Sequence, residues 1–278
     1  MELTCKLITG DSRQMREIPE ETVELIVTSP PYWNLKDYGV MGQIGYGQSL
    51  EEYYESLWQV WSECFRVLKP DRRLCVNVGD VYIPAGNGQR MQVVPIHARI
   101  IEQGLSLGFE YTGTIIWHKY ANLRSKRRAA LPGSYPYPYN GVVRLDHEYI
   151  LLFRRPGRRK RPGYRQKALS RLTQEEWIKC FSSIWSIRGT RKGAHPSSFP
   201  GEIAARLIKM YSYVGETVLD PFAGTGTTNI TALQLGRHTI GYEINPHYIQ
   251  LIADRIQSLH LTSLHLSIVE RLPTTTLK

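Results

Sequence analysis

A short polar loop follows one of the most apolar segments of the sequence. Leu25-Ile26-Val27 has the composition of a buried strand, and Thr28-Ser29-Pro30-Pro31-Tyr32 comes directly after it. Two prolines cannot donate ladder hydrogen bonds, so the sheet is expected to stop there. The Ser29 hydroxyl and a carbonyl held by the prolines can accept hydrogen bonds, and the Tyr32 ring offers a face for stacking. Taken alone, this stretch favours a plain Pro-Pro turn with core aromatics.

A second loop has the composition of a nucleoside-binding turn. The strand 217–219 ends at Asp220, and Gly224 and Gly226 then open a helix. Glycines let the backbone approach a ligand closely. About twenty residues later a second strand ends in Glu243, where a carboxylate can accept hydrogen bonds from a ribose diol. Loop, helix, strand and acid together predict a nucleoside-bearing cofactor, and the lack of a following Gly-Lys-Ser/Thr argues against a phosphate-binding P-loop.

Around these loops the hydrophobic periodicity alternates between strand and helix. Strands are predicted over Leu3–Thr9, Glu24–Thr28, Leu74–Val78, Thr114–His118, Glu148–Phe153, Thr217–Leu219 and His238–Tyr242. Helices are predicted over Leu50–Leu68, Val94–Gly104 and Pro200–Tyr213, after Thr225, and from Pro246 to about Leu259. Such alternation is typical of a parallel, doubly wound α/β sheet. Residues 262–278 carry no clear pattern and are left unassigned.

Composition narrows the class of partner. The 278-residue chain has 35 Lys and Arg against 25 Asp and Glu, a formal net charge of +10. This balance points to a polyanionic partner, most simply nucleic acid. The four cysteines show no metal-ligand spacing and no disulfide framework, so no metal site is predicted. Neither a signal peptide nor an apolar run long enough to span a membrane is visible, so we expect a cytoplasmic protein with no membrane partner.

Two motifs together resemble a known enzyme family. Asp220-Pro221-Phe222-Ala223-Gly224-Thr225-Gly226-Thr227 resembles the cofactor loop of S-adenosylmethionine-dependent DNA amino-methyltransferases. Ser29-Pro30-Pro31-Tyr32 resembles their catalytic motif, in the form usual for cytosine-N4 enzymes, whereas adenine-N6 enzymes more often have Asp in place of Ser. The catalytic motif precedes the cofactor loop, which resembles the permuted order of the beta group. The resemblance covers about Gly10 to about Ile256.

The resemblance implies a Rossmann-like methyltransferase fold. Its mostly parallel sheet would have seven strands, helices on both faces and one antiparallel strand near an edge. The N-terminal strand would lie beside the strand that ends at Glu243. The implied units are a catalytic half at 1–153 with an insert at about 120–146, a target-recognition region at 154–184, a cofactor-binding half at 185–260 and a C-terminal tail at 261–278.

The resemblance also assigns roles to individual residues. The catalytic residues would be Ser29, Pro30, Pro31 and Tyr32. S-adenosyl-L-methionine would be the cofactor, with Asp11 near its amino group and the segment 195–200 around its methionine part. The full set of implied cofactor-binding residues is Asp11, Thr28, His195, Ser198, Phe199, Pro200, Asp220, Pro221, Phe222, Gly224, Thr225, Gly226, Thr227, Glu243 and Asn245.

The chemistry implied by this resemblance explains the rigid loop. An exocyclic amino group is a poor nucleophile because its lone pair is delocalised into the ring. The Ser29 hydroxyl and the Pro30 carbonyl can accept its hydrogens and draw the lone pair toward tetrahedral geometry, and the prolines preorganise that carbonyl. Stacking of an extruded base on Tyr32 recovers about 1–3 kcal/mol of the cost of flipping. Cytosine C5 methylation is disfavoured because it uses a Pro-Cys nucleophile, and no cysteine here follows a proline.

Two basic stretches are candidates for contact with double-stranded DNA, the expected partner. Residues 154–171 contain no acid, and residues 122–141 combine Arg and Lys with three tyrosines, which suits phosphate contacts and stacking. The residues assigned to DNA binding are Arg124, Lys126, Arg127, Arg128, Arg158, Arg159, Lys160 and Arg161. A restriction-modification system with a cognate restriction endonuclease, or else a solitary modification system, is a further expectation from the resemblance, and so is a homodimer.

Other functions stay open at this stage. The same fold can methylate adenine N6. An RNA or protein-amide methyltransferase is a third hypothesis, which the motif order and the basic insert oppose. A non-catalytic nucleic-acid-binding protein is a fourth, and the intact Ser29 and Gly224 count against it.

Overall fold

A computed structural model describes residues 2–86, 90–119, 143–158, 161–189 and 199–271. Its strands are β1 (Leu3–Thr9), β2 (Val23–Thr28), β3 (Leu68–Val78), β4 (Val81–Ile83), β5 (Gln92–Val94), β6 (Glu110–His118), β7 (His147–Arg154), β8 (Ile184–Ser186), β9 (Thr217–Asp220), β10 (His238–Glu243) and β11 (Leu264–Glu270). Its helices are α1 (Leu50–Val67), α2 (Ile96–Ser106), α3 (Tyr164–Leu169), α4 (Gln174–Cys180), α5 (Gly201–Tyr211), α6 (Thr227–Gln234) and α7 (Pro246–Gln257).

Nine of the described strands form one sheet, in the order β11-β1-β10-β9-β2-β3-β7-β6-β8. Only β7 among them runs against the rest, since it pairs antiparallel with both β3 and β6. The other neighbouring strands pair in parallel. The prediction of a mostly parallel α/β sheet with one reversed strand near an edge is therefore confirmed.

The expected number of seven strands was wrong by two, because each edge of the sheet carries an additional strand. β11 pairs with β1 along its whole length, from Leu3 opposite Leu264 to Thr9 opposite Glu270. β8 pairs with β6 over three residues. Both edge strands are only partly buried, so they lack the apolar run that marks a central strand.

Parallel pairing brings the carboxyl ends of β1, β2, β9 and β10 to one side of the sheet. β1 lies beside β10 as predicted, with Thr9 opposite Glu243. Gly241 of β10 lies opposite Asp220 of β9, and Thr28 ends the neighbouring strand β2. We call this side of the sheet the carboxyl edge and the opposite side the amino edge. Ligand sites of open α/β sheets form at the carboxyl edge.

Apolar side chains alternate along the strands and bury both faces of the sheet. Ile26 packs on one face with residues of α1 and α2, whereas Leu25 and Val27 pack on the other face with α5. Helices therefore cover both faces, as predicted. α1 begins at a capping box in which Ser49 and Glu52 bond each other's backbone amides.

Several element boundaries differ from the sequence-based expectation, including the start of β6, which lies at Glu110 rather than at Thr114. The helix predicted from Val94 begins at Ile96, because Gln92–Val94 pairs with Val81–Ile83 in a separate two-stranded ribbon. β3 begins at Leu68 rather than at Leu74. The four cysteines are buried free thiols. Within the described ranges, no helix combines the length and apolar character needed to cross a membrane.

Candidate active site

A cleft opens at the carboxyl edge, between the loops that follow β1, β2, β9 and β10. The two sequence motifs supply most of its wall. The motif residues and flanking residues that line it are Gly10, Asp11, Ser12, Ser29, Pro30, Pro31, Tyr32, Phe199, Asp220, Pro221, Phe222, Ala223, Gly224, Thr225, Thr227, Tyr242, Glu243, Ile244 and Tyr248. The proline loop and the glycine loop, 192 residues apart at Thr28 and Asp220, thus face one space.

A buried hydrogen bond joins the two strands that carry these loops. The Thr28 hydroxyl donates to Asp220 Oδ1 at 2.7 Å. The same carboxylate oxygen accepts the Phe222 backbone amide at 3.0 Å. Burial raises the pKa of Asp220 to about 6, and hydrogen bonds from Thr28, Phe222 and Thr228 act in the opposite direction. Thr28 was predicted to bind the cofactor, but its hydroxyl is used within the protein to hold Asp220.

The glycine loop takes a conformation that other residues rarely adopt. Gly224 has φ +54° and Gly226 has φ +78°. A Cβ on Gly226 would come within 2.8 Å of the Ile252 side chain, so α6 can start this close to α7 only with glycine at that position. Gly226 therefore allows α6 to pack closely against α7, whereas Gly224 lines the cleft.

Glu243 closes the loop from the neighbouring strand. Its Oε2 accepts the Gly224 amide at 2.9 Å, and its Oε1 accepts the Asn245 amide at 2.9 Å. Burial raises the pKa of Glu243 to about 7, against the effect of these backbone hydrogen bonds. Carboxylate oxygens have further lone pairs that can accept hydrogen bonds from a hydroxyl pair in the cleft. Asn245 itself caps α7 and bonds the Tyr38 carbonyl, so it supports Glu243 instead of lining the cleft.

The proline loop is held in place by contacts from α1 and the chain before it. The Tyr53 hydroxyl donates to the Pro31 carbonyl at 2.9 Å, and the Trp33 indole donates to the Gln48 carbonyl at 2.9 Å. Tyr32 is partly buried against the core. Ser29 and Tyr32 both face the cleft. The loop that follows β2 is therefore rigid on the side away from the cleft, which is the condition for preorganised acceptors.

A buried acid lies behind the proline loop, and the sequence did not single it out. Glu148 is 6% exposed and accepts a hydrogen bond from the Asn77 side chain at 2.6 Å and one from the Lys119 ammonium. Glu148 and Ser29 both lie close enough to Tyr32 to shift the pKa of its hydroxyl, Glu148 upward and Ser29 downward. Burial and the Glu148 charge hold the pKa of Tyr32 well above its ordinary value. An acid at the start of an apolar strand was the available sequence signal.

Residues 35–44 form a further wall of the cleft that sequence reasoning missed. Its lining side includes Leu35, Lys36, Tyr38 and Gln43. The segment follows the proline loop directly, and Gln43 binds the Tyr38 amide through its side chain at 2.7 Å. Its polar, irregular sequence has no periodicity from which a position could be inferred.

Five further cofactor assignments have distinct outcomes. Asp11 lines the cleft, where Arg13 donates to both of its carboxylate oxygens. Phe199 lines the cleft and Pro200 serves as the N-cap of α5. His195 and Ser198 lie outside the described residues.

Arg158 and Arg161, the assigned basic residues that the structure describes, are not brought together with the cleft. β7 runs from the carboxyl edge to the amino edge, so residue 155 onward begins at the amino edge. Arg155 exchanges backbone hydrogen bonds with residues 71 and 72 there, and a Cβ on Gly157 would touch Pro70. Arg158 is exposed next to this contact, and Arg161 is exposed just before α3, which bonds Val214 ahead of β9. The other assigned residues, Arg124, Lys126, Arg127, Arg128, Arg159 and Lys160, lie outside the described residues.

The raised pKa of Glu243 makes stability depend on pH. The folded chain holds this proton up to about pH 7, while an ordinary glutamate releases it near 4.5, so the folded state binds more protons in between. The proton held by Glu243 therefore stabilises the folded state below about pH 4.5, and this stabilisation is lost as pH rises to about 7. Glu243→Gln should therefore gain stability relative to wild type as pH increases from about 5 to about 7.5, in urea unfolding of the cofactor-free protein.

Glu270→Gln is the matched control for that measurement, because Glu270 is an exposed acid on β11. Asp220 is present in all three proteins and cancels in the comparison. A difference between Glu243→Gln and wild type that stays constant with pH would contradict the assignment of a proton-retaining carboxylate.

Comparison with known proteins identifies the family. The model of the N6/N4 DNA methylase family matches residues 23–254, most of the chain. The type II methyltransferase M.MjaI of Methanocaldococcus jannaschii is 38% identical over 281 residues, covering 90% of each protein. M.MthZI of Methanothermobacter thermautotrophicus is 34% identical, covering 92% of this chain and 77% of that protein.

A solved structure matches the whole fold. TTHA0409 of Thermus thermophilus, a candidate DNA modification methylase complexed with S-adenosyl-L-methionine, superposes with a TM-score of 0.79 at 36% identity. The match covers 96% of this chain and 98% of that one. The PvuII cytosine-N4 DNA methyltransferase shares the fold, with a TM-score of 0.66 at 19% identity. With both motifs facing one cleft and these matches across its length, the chain belongs to the N6/N4 DNA methylase family.

Proposed function

We propose that this DNA methyltransferase transfers a methyl group to the N4 amino group of a cytosine flipped out of duplex DNA. The observation that carries the proposal is the position of Ser29 and Tyr32. They face the same cleft as the Gly224 loop and Glu243, so an acceptor site and a cofactor site share one space. The Ser-Pro-Pro-Tyr form of the loop favours cytosine N4 over adenine N6.

The cofactor is S-adenosyl-L-methionine, which supplies an electrophilic methyl group on a sulfonium sulfur. The residues of the cleft fit this molecule. Glu243 presents a half-buried carboxylate suited to a ribose diol, and Gly224 leaves room for close backbone approach. Asp11 is a second carboxylate in the wall, near which we place the adenine amino group. Phe222 and Phe199 supply apolar surface.

The proline loop would act on the base. The Ser29 hydroxyl and the Pro30 carbonyl accept hydrogens from the amino group, which draws its lone pair out of conjugation with the ring. Tyr53 and Trp33 hold the loop from behind, so these acceptors need little reorganisation when the base arrives. Tyr32 supplies a stacking face, and proximity in the cleft contributes much of the rate.

Adenine N6 is the second candidate, because the family to which the chain belongs includes enzymes of both types. Two relatives are type II methyltransferases, which supports the proposal of a sequence-specific enzyme in a restriction-modification system with a cognate endonuclease. A homodimer is proposed on the resemblance alone.

Product analysis tests the proposed base. Unmodified genomic DNA is incubated with the protein and labelled S-adenosyl-L-methionine, digested to nucleosides and examined by mass spectrometry. N4-methylcytosine is expected. N6-methyladenine would contradict the base assignment while leaving the cofactor and the fold, and the absence of any methylated nucleoside would contradict the function.

Two variants separate a defect in methyl transfer from a defect in cofactor binding. Ser29→Ala should lower turnover at least about 100-fold with little change in cofactor affinity, because it removes an acceptor at the amino group only. Glu243→Ala should weaken cofactor binding, measured by calorimetry. Wild-type turnover in Ser29→Ala would remove Ser29 from the mechanism.

The segment between β6 and β7 is proposed to contact DNA. Its flanking residues lie at the carboxyl edge, where the Lys119 amide bonds the Asp146 carbonyl at 2.8 Å. Lys119 and Asp146 therefore lie on the side of the sheet that holds Ser29. Arg158 follows β7 at the amino edge, so DNA seated in the cleft would reach it only by wrapping around the domain.

Charge neutralisation compares the two basic clusters directly. One variant replaces four basic residues by Gln: Arg124, Lys126, Arg127 and Arg128. It should bind DNA more weakly. The slope of the logarithm of the binding constant against the logarithm of the salt concentration should become shallower by up to about 4, roughly one unit for each lost phosphate contact. The matched variant replaces Arg158, Arg159, Lys160 and Arg161 and should change the slope less. A larger effect from the second cluster would contradict this arrangement of DNA.

A further inference from the structure

An arginine holds one of the acids of the cleft wall from behind. Asp11, which follows β1, lines the cleft, and its side chain is 35% exposed. Arg13 lies outside the described lining of the cleft, and its Nε donates to Asp11 Oδ2 at 2.8 Å. The Arg13 backbone amide donates to Asp11 Oδ1 at 2.9 Å. Both carboxylate oxygens are therefore held by one residue, and the carboxylate cannot turn without losing these hydrogen bonds.

The guanidinium of Arg13 is itself fixed by two other segments. Its Nη2 donates to the Gly42 carbonyl at 3.1 Å, in the wall formed by residues 35–44. Its Nη1 donates to the Ser56 hydroxyl of α1 at 3.4 Å, and Gln48 donates to the same hydroxyl at 3.0 Å. A planar guanidinium presents its donors in a rigid fork, which a lysine ammonium cannot reproduce. Arg13 thus joins the loop after β1, helix α1 and the wall of the cleft.

The hydrogen bonds from Arg13 decide what Asp11 can still accept. A carboxylate has about four acceptor positions, so positions remain open to a ligand in the cleft. The 6-amino group of adenine donates hydrogens, whereas a purine with a 6-carbonyl group has an acceptor there and carries its donor on N1. An acceptor fixed opposite the 6-position pairs with the amino group. Opposite a carbonyl group the same acceptor is left unpaired, which costs binding free energy.

We propose that Arg13 is a positioning residue that makes the cofactor site selective for adenine. Its fork fixes Asp11 in the orientation that accepts from the 6-amino group. The same fork prevents Asp11 from turning to the N1–H group of a 6-carbonyl purine. This inference rests on the proposed function, which places the adenine amino group near Asp11. Arg13 acts through Asp11 and does not touch the cofactor.

A role in the local turn alone would require fewer contacts. The Arg13 amide bonds Asp11 Oδ1, and the Gln14 amide bonds the Asp11 carbonyl at 3.2 Å. These backbone donors are sufficient to form the turn, whereas the guanidinium reaches beyond it to Gly42 and Ser56. The two roles also differ in what they change. A loosened turn weakens the binding of every ligand in the site, whereas a misplaced acceptor changes the preference between two ligands.

The test measures that preference by calorimetry on the cofactor-free protein, without DNA and without methyl transfer. The probes are S-adenosyl-L-homocysteine and S-inosyl-L-homocysteine. They differ in the purine alone, where the 6-amino group is replaced by a carbonyl group and N1 gains a hydrogen. Wild type should bind the adenosyl ligand about 10- to 100-fold more tightly, the range typical of one hydrogen bond to a carboxylate.

Substitutions at Arg13 should reduce this selectivity ratio. Arg13→Gln should lower it at least about fivefold, because the released Asp11 can turn to the N1–H group of the inosyl ligand. Arg13→Lys should lower it as well, because a single ammonium does not supply the fork. Asp11→Asn should lower the ratio, and the double variant Asp11→Asn/Arg13→Gln should match Asp11→Asn, because Arg13 acts through Asp11.

Arg155→Gln is the matched control. Arg155 likewise joins an acid to a backbone carbonyl, since it pairs with Glu21 at 2.8 Å and donates to the Leu68 carbonyl. It lies at the amino edge of the sheet, away from the cleft. Its substitution should leave the ratio at the wild-type value. Circular dichroism and urea unfolding check that every variant is folded under the conditions of the titration.

The outcomes separate this inference from the proposed function. If Arg13→Gln weakens both ligands by the same factor, Arg13 supports only the turn and the inference is overturned. A full wild-type ratio in Arg13→Lys would also overturn it, since charge alone would then be enough. A wild-type ratio near 1 would overturn the inference, and methylation of DNA would leave the function standing. If wild type binds neither ligand and methylates no DNA, the function and the inference fall together.

Discussion

The parallel pairing of β2 with β9, secured by the buried Thr28–Asp220 hydrogen bond, is the constraint on which the rest of the site depends. Each strand ends at the carboxyl edge in the loop that carries a motif. The two strands are neighbours in the sheet and lie about 5 Å apart. The loops that follow them therefore face each other across a space set by this separation and by how far each loop extends from its strand. Fixing the strands therefore fixes how the proline loop faces the glycine loop.

A buried acid, Asp220, and a half-buried acid, Glu243, give this edge its electrostatic character. Asp220 uses its hydrogen bonds on Thr28 and the Phe222 amide, so it organises the protein. Glu243 receives two backbone amides and still borders the cleft. Burial raises the pKa of both groups, to about 6 and about 7, and both acids therefore carry a desolvation cost in the cofactor-free protein. Such costs are typical of sites organised for a ligand.

Much of this site could be predicted because its signals are local in sequence. Two prolines after an apolar run mark the end of a strand, and glycines before a helix mark a close-approach loop. A Glu at the end of the next strand completes the unit. The alternation of strands and helices likewise predicted the fold class, and the resemblance of the motifs predicted the position of β1 beside β10. Each of these inferences needs only short-range chemistry or the resemblance of a motif.

The parts that could not be predicted depend on contacts between distant segments. Glu148 gains its partners only when β3, β6 and β7 lie side by side, so its sequence context marks it as unusual but not as a neighbour of Tyr32. The basic stretch after residue 154 looked suited to DNA in composition. Its location at the amino edge follows from the reversed direction of β7, which composition does not encode. β11 was missed although Leu264, Leu266 and Ile268 alternate with neighbouring residues at the spacing of a strand, so a sequence signal was present there.

The central claim is that one cleft holds the methyl donor against the proline loop. A crystal structure of the protein with S-adenosyl-L-methionine tests it most directly. The account predicts the ribose hydroxyls on Glu243, the adenine near Asp11 and the sulfonium methyl directed toward Ser29 and Pro30. A cofactor bound elsewhere, or one whose methyl group is directed away from Ser29, would contradict the account.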